Sequence, residues 1–185
     1  MRTSEYNFKL PNFVITCDSL TKLKLVSCSL DPSAKIHMRS LKSLRLKEII
    51  LSEDTIAKIF SGCPLLEKLS LYNCYGPSVL SITSQNLKRL VFHYGITDLS
   101  LEIFCPYITS LNISGWIEGV ALKNLSCLVN STLDFTEDFN GARGEYLGVR
   151  MILQKLHHLD VLTICDRLIL VWLSFLYRFL YVLFG

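Results

Sequence analysis

The stretch SGCPLLEKLSLYNC, Ser61 to Cys74, sets a Cys-Pro pair directly before leucines spaced three and two apart, at Leu66, Leu69 and Leu71. Forty-two residues after Cys63 the pair returns as Cys105-Pro106 in FCPYITSLNISGW, with aliphatic residues at the same offsets. A fixed period of this kind marks a structural unit that is used again, so repeats take precedence over any search for catalysis.

Aligned on L-x-x-L-x-L, seven copies emerge: Leu20-Leu23-Leu25, Leu41-Leu44-Leu46, Leu66-Leu69-Leu71, Leu87-Leu90-Phe92, Ile108-Leu111-Ile113, Asn130-Leu133-Phe135 and Leu159-Leu162-Ile164. Their middle residues are separated by 21, 25, 21, 21, 22 and 29 positions, and most of these lie in the range of a leucine-rich repeat, roughly 20–29 residues. The alternation x-L-x-L-x predicts a short strand with its leucines on one side and its x residues on the other. A single unit leaves its leucines in water, whereas stacked units bury them continuously. The expected fold is therefore an α/β leucine-rich solenoid. Short parallel strands line its concave face, and short helices or irregular segments form its convex face. Cys28 and Cys74 fall at the polar ladder position of their repeats, where a thiol packs as a small hydrophobe and donates weakly to a carbonyl.

The same pattern explains the Cys-Pro pairs. Ser52 is placed to cap a helix that begins with Glu53 and Asp54. Ile56, Ile59 and Phe60 share one face of it, and Gly62 is placed to end it. Pro64 blocks continuation and biases Cys63 towards an extended conformation. Cys-Pro then reads as the corner leading into the next strand, and Cys105-Pro106 marks the same corner two repeats later. A catalytic thiol at either place lacks a histidine–acid partner pattern.

Three segments are expected: an N-terminal cap over 1–19, about seven repeats over 20–166, and a hydrophobic tail over 167–185. In the cap, Phe8, Leu10, Phe13, Val14 and Ile15 are expected to cover the first leucine layer. Within 138–159, glycines precede a predicted helix with Val149, Ile152, Leu153 and Leu156 on one side. No Gly-Lys-Ser/Thr follows those glycines, so they are not a phosphate-binding loop. His157 and His158 sit at the corner after that helix and read as solvated surface.

Composition narrows the classes. The net charge is +3, from 19 basic and 16 acidic residues, which does not imply nucleic-acid binding. Seven cysteines include no C-x-x-C pair, so neither a zinc site nor a closed disulfide framework is expected. No signal-like h-region opens the chain, and reduced thiols in the cytoplasm or nucleus are the expectation. No cofactor or metal is called for. The carboxylates are scattered and the cysteines follow the repeat phase, so no nucleophile–base–orienter set emerges and an enzyme is not expected.

Four stretches resemble the leucine-rich region of plant F-box/LRR proteins of the type often ending in an FBD domain. They are LPNFVITCDSLTKLKLVSCSL, SEDTIAKIFSGCPLLEKLSLYNC, LKNLSCLVNSTLDF and ILQKLHHLDVLTIC. The likeness spans residues 8 to 166, and its most specific element is G-C-P-L-L-E-x-L-x-L. It implies a non-enzymatic recognition module whose repeats hold a protein destined for ubiquitination by a cullin ligase. In that family an F-box binds the Skp-type adaptor. No F-box precedes residue 8 and no FBD-like region follows residue 166, so only the repeat-borne recognition carries over, as in a truncated relative.

The x positions name the surface available for that task. Lys22, Lys24, Arg45, Lys47, Lys68 and Arg89 fall on the first four repeats with Tyr72 and His93, and no carboxylate joins them; the last three repeats contribute no cation. Such a stripe suits an acidic or phosphorylated protein partner, and also suits plain solubility and protection of the strands. Nucleic acid fits less well, because aromatics are not interleaved with the cations.

After Asp166 the chain becomes RLILVWLSFLYRFLYVLFG. From Leu168 to Gly185 it approaches the length that spans a bilayer. Arg178 near the middle costs roughly 2.5–3.5 kcal/mol on insertion scales. Three readings stand: a membrane anchor, which would make the chain a tethered scaffold; a cover for the open end of the solenoid; and, ranked first, sequence foreign to the repeats that precede it.

Overall fold

The computed structural model describes residues 10–30, 35–76, 78–94, 100–115, 119–134, 153, 155–156 and 158–165. In chain order its elements are α1 (Asn12–Ile15), β1 (Lys22–Val26), β2 (Ser43–Lys47), α2 (Glu53–Gly62), β3 (Lys68–Tyr72), β4 (Val79–Thr83), β5 (Arg89–Tyr94), β6 (Ser100–Phe104), β7 (Ser110–Gly115), β8 (Gly119–Lys123), β9 (Asn130–Asp134) and β10 (Val161–Ile164). Two parallel sheets result. The long one runs β1-β2-β3-β5-β7-β9-β10 and the short one β4-β6-β8. This is the expected solenoid of stacked coils.

The return legs of the coils refine that expectation. Between β2 and β3 the chain returns through α2, but in the next three coils it returns through a strand of the short sheet. The repeat lengths account for the difference. Ten helical residues advance about 15 Å, and five extended residues cover about 17 Å. A strand thus crosses the coil with about five fewer residues, which matches the drop from 25 to 21. Alternation in VLSIT and SLEIF buries Leu80, Ile82, Leu101 and Ile103 and turns the residues between them outward.

The core lies between the two legs. Leu44, Leu69, Leu90 and Leu111 stand in register on adjacent strands, as do Leu46, Leu71, Phe92 and Ile113, and all eight are buried. Phe92 stacks on Tyr94 with ring centroids 5.6 Å apart. After each of the first three strands one residue adopts a left-handed conformation, Ser27, Glu48 and Asn73, with φ of 49°, 54° and 46°. Cys74 follows the third of these, and its thiol points to the Leu46 carbonyl at 3.6 Å, the weak donation expected of the ladder position.

The Cys-Pro corners are tight turns. The Leu66 N–H donates to the Cys63 carbonyl and the Ile108 N–H to the Cys105 carbonyl, both at 3.1 Å. Met38–Leu41 and Leu125–Leu128 close in the same way. Burial pushes the thiols of Cys63 and Cys105 up to about 11, so at neutral pH about one in ten thousand is a thiolate, and both are poor nucleophiles. Ser52 caps α2 as expected, its hydroxyl accepting from the Thr55 N–H at 3.1 Å.

Three expectations are corrected and one is refined. α2 ends at Gly62 as expected, but not through a left-handed turn, and a Cβ there would stand 2.1 Å from the Ile36 carbonyl oxygen. The role of Gly62 is close approach to the neighbouring coil, where the Met38 N–H donates to its carbonyl at 2.9 Å. Phe13 does not cover the first leucine layer: its side chain is 74% exposed, while Ile15 is buried and Leu10 packs against the core. The sixth strand is shifted by two residues from the aligned copy. Leu111 pairs with Ser131 and Ile113 with Leu133, so the motif there is Leu128-Ser131-Leu133 and not Asn130-Leu133-Phe135. His158 is more than a solvated residue: its Nε2–H donates to the Leu125 carbonyl at 3.0 Å.

The last described coil leaves its leucine row open, and Leu162 is 38% exposed. Leu156 is buried and Leu153 packs against the core. Lys155 donates to the Leu122 carbonyl at 2.8 Å, blunting the free edge of the short sheet at β8. Phe8, Val149, Ile152, His157 and the tail 167–185 lie outside the described residues. Among the described residues no helix is long and apolar enough to cross a membrane.

Candidate functional site

The outward face of the long sheet is aligned by a repeated backbone device. The residue just before each strand offers one carbonyl to two N–H groups of the next coil. Thr21 accepts from Lys42 and Ser43, Lys42 from Glu67 and Lys68, Glu67 from Lys88 and Arg89, and Lys88 from Thr109 and Ser110, all at 2.8–3.1 Å. Thr109 and Val129 continue the series to Asn130 and Val161. Side chains at equal positions therefore form straight rows across the strands, about 4.8 Å apart.

Three rows result. The first holds Lys22, Ser43, Lys68, Arg89, Ser110, Asn130 and Val161; the second holds Lys24, Arg45, Ser70, Val91, Asn112, Thr132 and Thr163. The third runs Val26, Lys47, Tyr72, His93, Ser114 and Asp134. The shifted register brings Asn130 into the first row.

The eight candidate residues divide into two groups. Arg45 sits over the Tyr72 ring at 4.6 Å and donates to its hydroxyl oxygen at 2.8 Å. Tyr72 lies 6.1 Å from His93, whose Nδ1 is 2.8 Å from the Ser114 hydroxyl. These four form a continuous line across β2, β3, β5 and β7. Lys47 is engaged as well, 3.3 Å from Glu48. The Ser27 hydroxyl donates to Glu48 at 2.7 Å, and that bond, followed by Lys47, holds the Glu48 carboxyl below its usual range. Lys22, Lys24, Lys68 and Arg89 differ. They are exposed, and among the described residues their side chains have no hydrogen-bond or ion-pair partner.

The position before each strand adds residues that the strand pattern passed over. Lys42 and Lys88 are exposed beside the first row, and Glu67 lies between them. Lys88 bonds Glu67 at 2.7 Å and is the main reason that carboxyl is depressed; Lys42 and Lys68 contribute by charge. Counting one residue further back in each repeat would have found these cations.

The arrangement does not build a hydrolytic triad. In the third row the order is His93, Ser114, Asp134, so the serine stands between imidazole and carboxylate and Asp134 has no route to orient the ring. Among the described residues no three His, Cys, Asp or Glu side chains are grouped to hold a metal ion.

Comparison with known proteins follows the same repeats. Residues 1–111 match the family described as FBD-associated F-box protein At5g56370, LRR repeats. From Arabidopsis thaliana, F-box protein At5g03100 is 31% identical over 171 residues, covering 88% of this chain and 55% of that protein. F-box/FBD/LRR-repeat protein At1g13570 is 31% identical over 157 residues, 84% of this chain and 35% of the relative. F-box/LRR-repeat protein 25 is 36% identical over 110 residues, 57% and 43% respectively. The chain thus spans about half, or less, of the length of the curated relatives it matches. No solved structure matches.

Proposed function

Because the chain belongs to the leucine-rich-repeat family of the FBD-associated F-box proteins, we propose that it works by recognition alone, holding a partner protein against the outward face of its long sheet. In the setting of an F-box ubiquitin-ligase receptor, that partner is the protein to be ubiquitinated. Transfer is then carried out by other subunits, and adaptor binding is the task of an F-box rather than of these repeats.

One observation carries the reading. Inward leucines and backbone ladders account for the scaffold, and the outward residues are left with no structural duty beyond solubility. Lys22, Lys24, Lys68 and Arg89 form no internal pair among the described residues, while Tyr72 and Arg45 are held rigid beside them. Tyr72 and Arg45 are of the residue types that carry most binding energy at protein interfaces, and the surrounding charge suits steering of an oppositely charged partner.

A photo-crosslinking amino acid tests the reading. Placed at Ser70 or Asn112 on the outward face, it should trap the same protein from plant extract, and a bulky Ser43→Trp change on the same face, between Lys22 and Lys68, should abolish the trapping. Placed at Ser81 on the opposite leg, it should not trap that protein. Equal trapping from all three positions, or trapping from Ser81 alone, would overturn it.

A further inference from the structure

We infer that the partner presents a carboxylate-rich, extended segment, which lies across β1 to β5 at the ends where those strands begin, and that the contacts are made by Lys22, Lys42, Lys68 and Arg89. The inference rests on the outward face being a protein-binding surface and adds where on that face the partner lies and what chemistry it presents.

The position follows from which cations are already engaged. Towards the strand ends that lead into the left-handed turns, Arg45 is bound to Tyr72 and Lys47 to Glu48. Towards the strand beginnings, the four named cations make no side-chain hydrogen bond or ion-pair contact among the described residues, and Glu67 acts on Lys42 and Lys68 only through charge. Beyond them the face loses its positive charge: Ser110, Asn130 and Val161 continue the first row, and Asp160 ends the row before it. The cationic strip therefore has a definite extent, three strand spacings or about 14 Å from Lys22 to Arg89. About four residues of extended peptide span that distance at roughly 3.3 Å each.

The chemistry follows from how the charges are distributed. A phosphate group is gripped by several donors converging on one point. Here single charges are spread along two adjacent rows, an arrangement that suits several unit charges in series. Single-stranded nucleic acid would need bases stacked on free aromatic rings, but Tyr72 and His93 are taken up by Arg45 and Ser114 at the far ends of the strands. Glu67 shows what the strip does to a carboxylate. It sits between Lys42 and Lys88, bonds Lys88 at 2.7 Å, and is held in its charged form by Lys88 first and then by Lys42 and Lys68.

The test uses the whole 185-residue chain and fluorescence anisotropy with three labelled probes: a short peptide alternating Glu and Ser, the same peptide with Gln for Glu, and a short single-stranded RNA. The Glu peptide should bind, weaken as salt is raised, and lose about tenfold or more in affinity in Lys68→Glu/Arg89→Glu. Lys123→Glu, on the short sheet, should change binding less than twofold. Circular dichroism confirms that each variant is folded. Equal binding of the Gln peptide, stronger binding of the RNA, indifference to the double charge reversal, or dimerisation of the chain abolished by that reversal would each overturn the inference. Its failure is separable from failure of the function proposed above. If Ser70 and Asn112 trap a partner and the Glu peptide does not bind, only the acidic character falls; if neither occurs, the protein-binding face falls with it.

Discussion

Replacing Ser131 by alanine is expected to make the protein more stable. Ser131 is 2% exposed and occupies the row otherwise held by Leu44, Leu69, Leu90, Leu111 and Leu162. Among the described residues its hydroxyl has no hydrogen-bond partner. A buried hydroxyl without a partner costs roughly 1–3 kcal/mol. Alanine removes that cost and forfeits only the dispersion contacts of one oxygen atom, so the net gain should be about 1–2 kcal/mol. For a chain of this size each kcal/mol moves the melting temperature by about 2–4 °C, which places the expected rise at about 2–8 °C.

The experiment also tests the register of the sixth strand. With Asn130-Leu133-Phe135 as the motif, Ser131 would stand just before the strand, in the exposed row of Lys42 and Lys88. Removal of a surface hydroxyl would then change stability by no more than about 0.5 kcal/mol. Urea unfolding followed by circular dichroism, with an unchanged slope to show that the denatured state is unaltered, separates the outcomes. A midpoint that stays put or falls would refute the assignment of Ser131 to the leucine row.

Three other outcomes are expected. Gly115→Ala should destabilise by roughly 2–4 kcal/mol in the same urea assay, because Gly115 has φ of +99° and a Cβ there would meet the Tyr94 carbonyl oxygen at 1.8 Å, adding backbone strain to overpacking. A thiol reagent followed by mass spectrometry at neutral pH should modify exposed Cys127 in the native protein and reach Cys63 and Cys105 only after unfolding, since both are buried with thiols raised to about 11. NMR titration should find the Glu67 carboxyl below its usual 4.5 and show it rising in Lys88→Gln, since Lys88 is the chief cause of the depression. A depressed carboxyl adds stability that is complete above its unfolded value and fades as pH falls through the lower folded one, so the Lys88→Gln defect should shrink as the pH is taken below 4.5.

How much of this was legible depended on whether the signal was local. The inward rows were, because strand alternation places Leu69 and Leu71, or Leu90 and Phe92, on one side whatever surrounds them. The corners were too, since Pro64 and Pro106 act on their own neighbours. Ser131 defeated the alignment because Leu133 and Phe135 imitate the motif two residues late; the turn closed from Leu125 to Leu128, equivalent to Cys63 to Leu66, held the true phase. The short sheet was encoded as alternation in VLSIT and SLEIF at the same 21-residue period. It went unread because a return leg carries no leucine signature, and helix and strand differ there mainly in length. Gly62 looked like a helix stop and nothing more, because its further constraint, the Ile36 carbonyl, belongs to another coil. At the candidate site, residue type identified the cations but not their state. Arg45 and Tyr72 are 27 residues apart in sequence and become diagonal neighbours only once β2 and β3 are paired.

That last distinction bears on why the face is charged at all. Lys68 and Arg89 are directly opposed on neighbouring strands, where like charges are destabilising. In water two unit charges at that spacing repel by about 1 kcal/mol. Solubility alone would be served as well by alternating signs, as Lys47 and Glu48 or Lys88 and Glu67 already show on the same surface. Glu67 offsets part of the excess through Lys88, Lys42 and Lys68, but the strip still carries more positive than negative charge, which works against the folded state and would be relieved by an acidic ligand. The inward leucines supply enough burial for the scaffold to tolerate that cost, because the two sides of each strand are independent. The same independence lets one face hold the coils together while the residues of the other vary without cost to the core, which is what the proposed binding face requires.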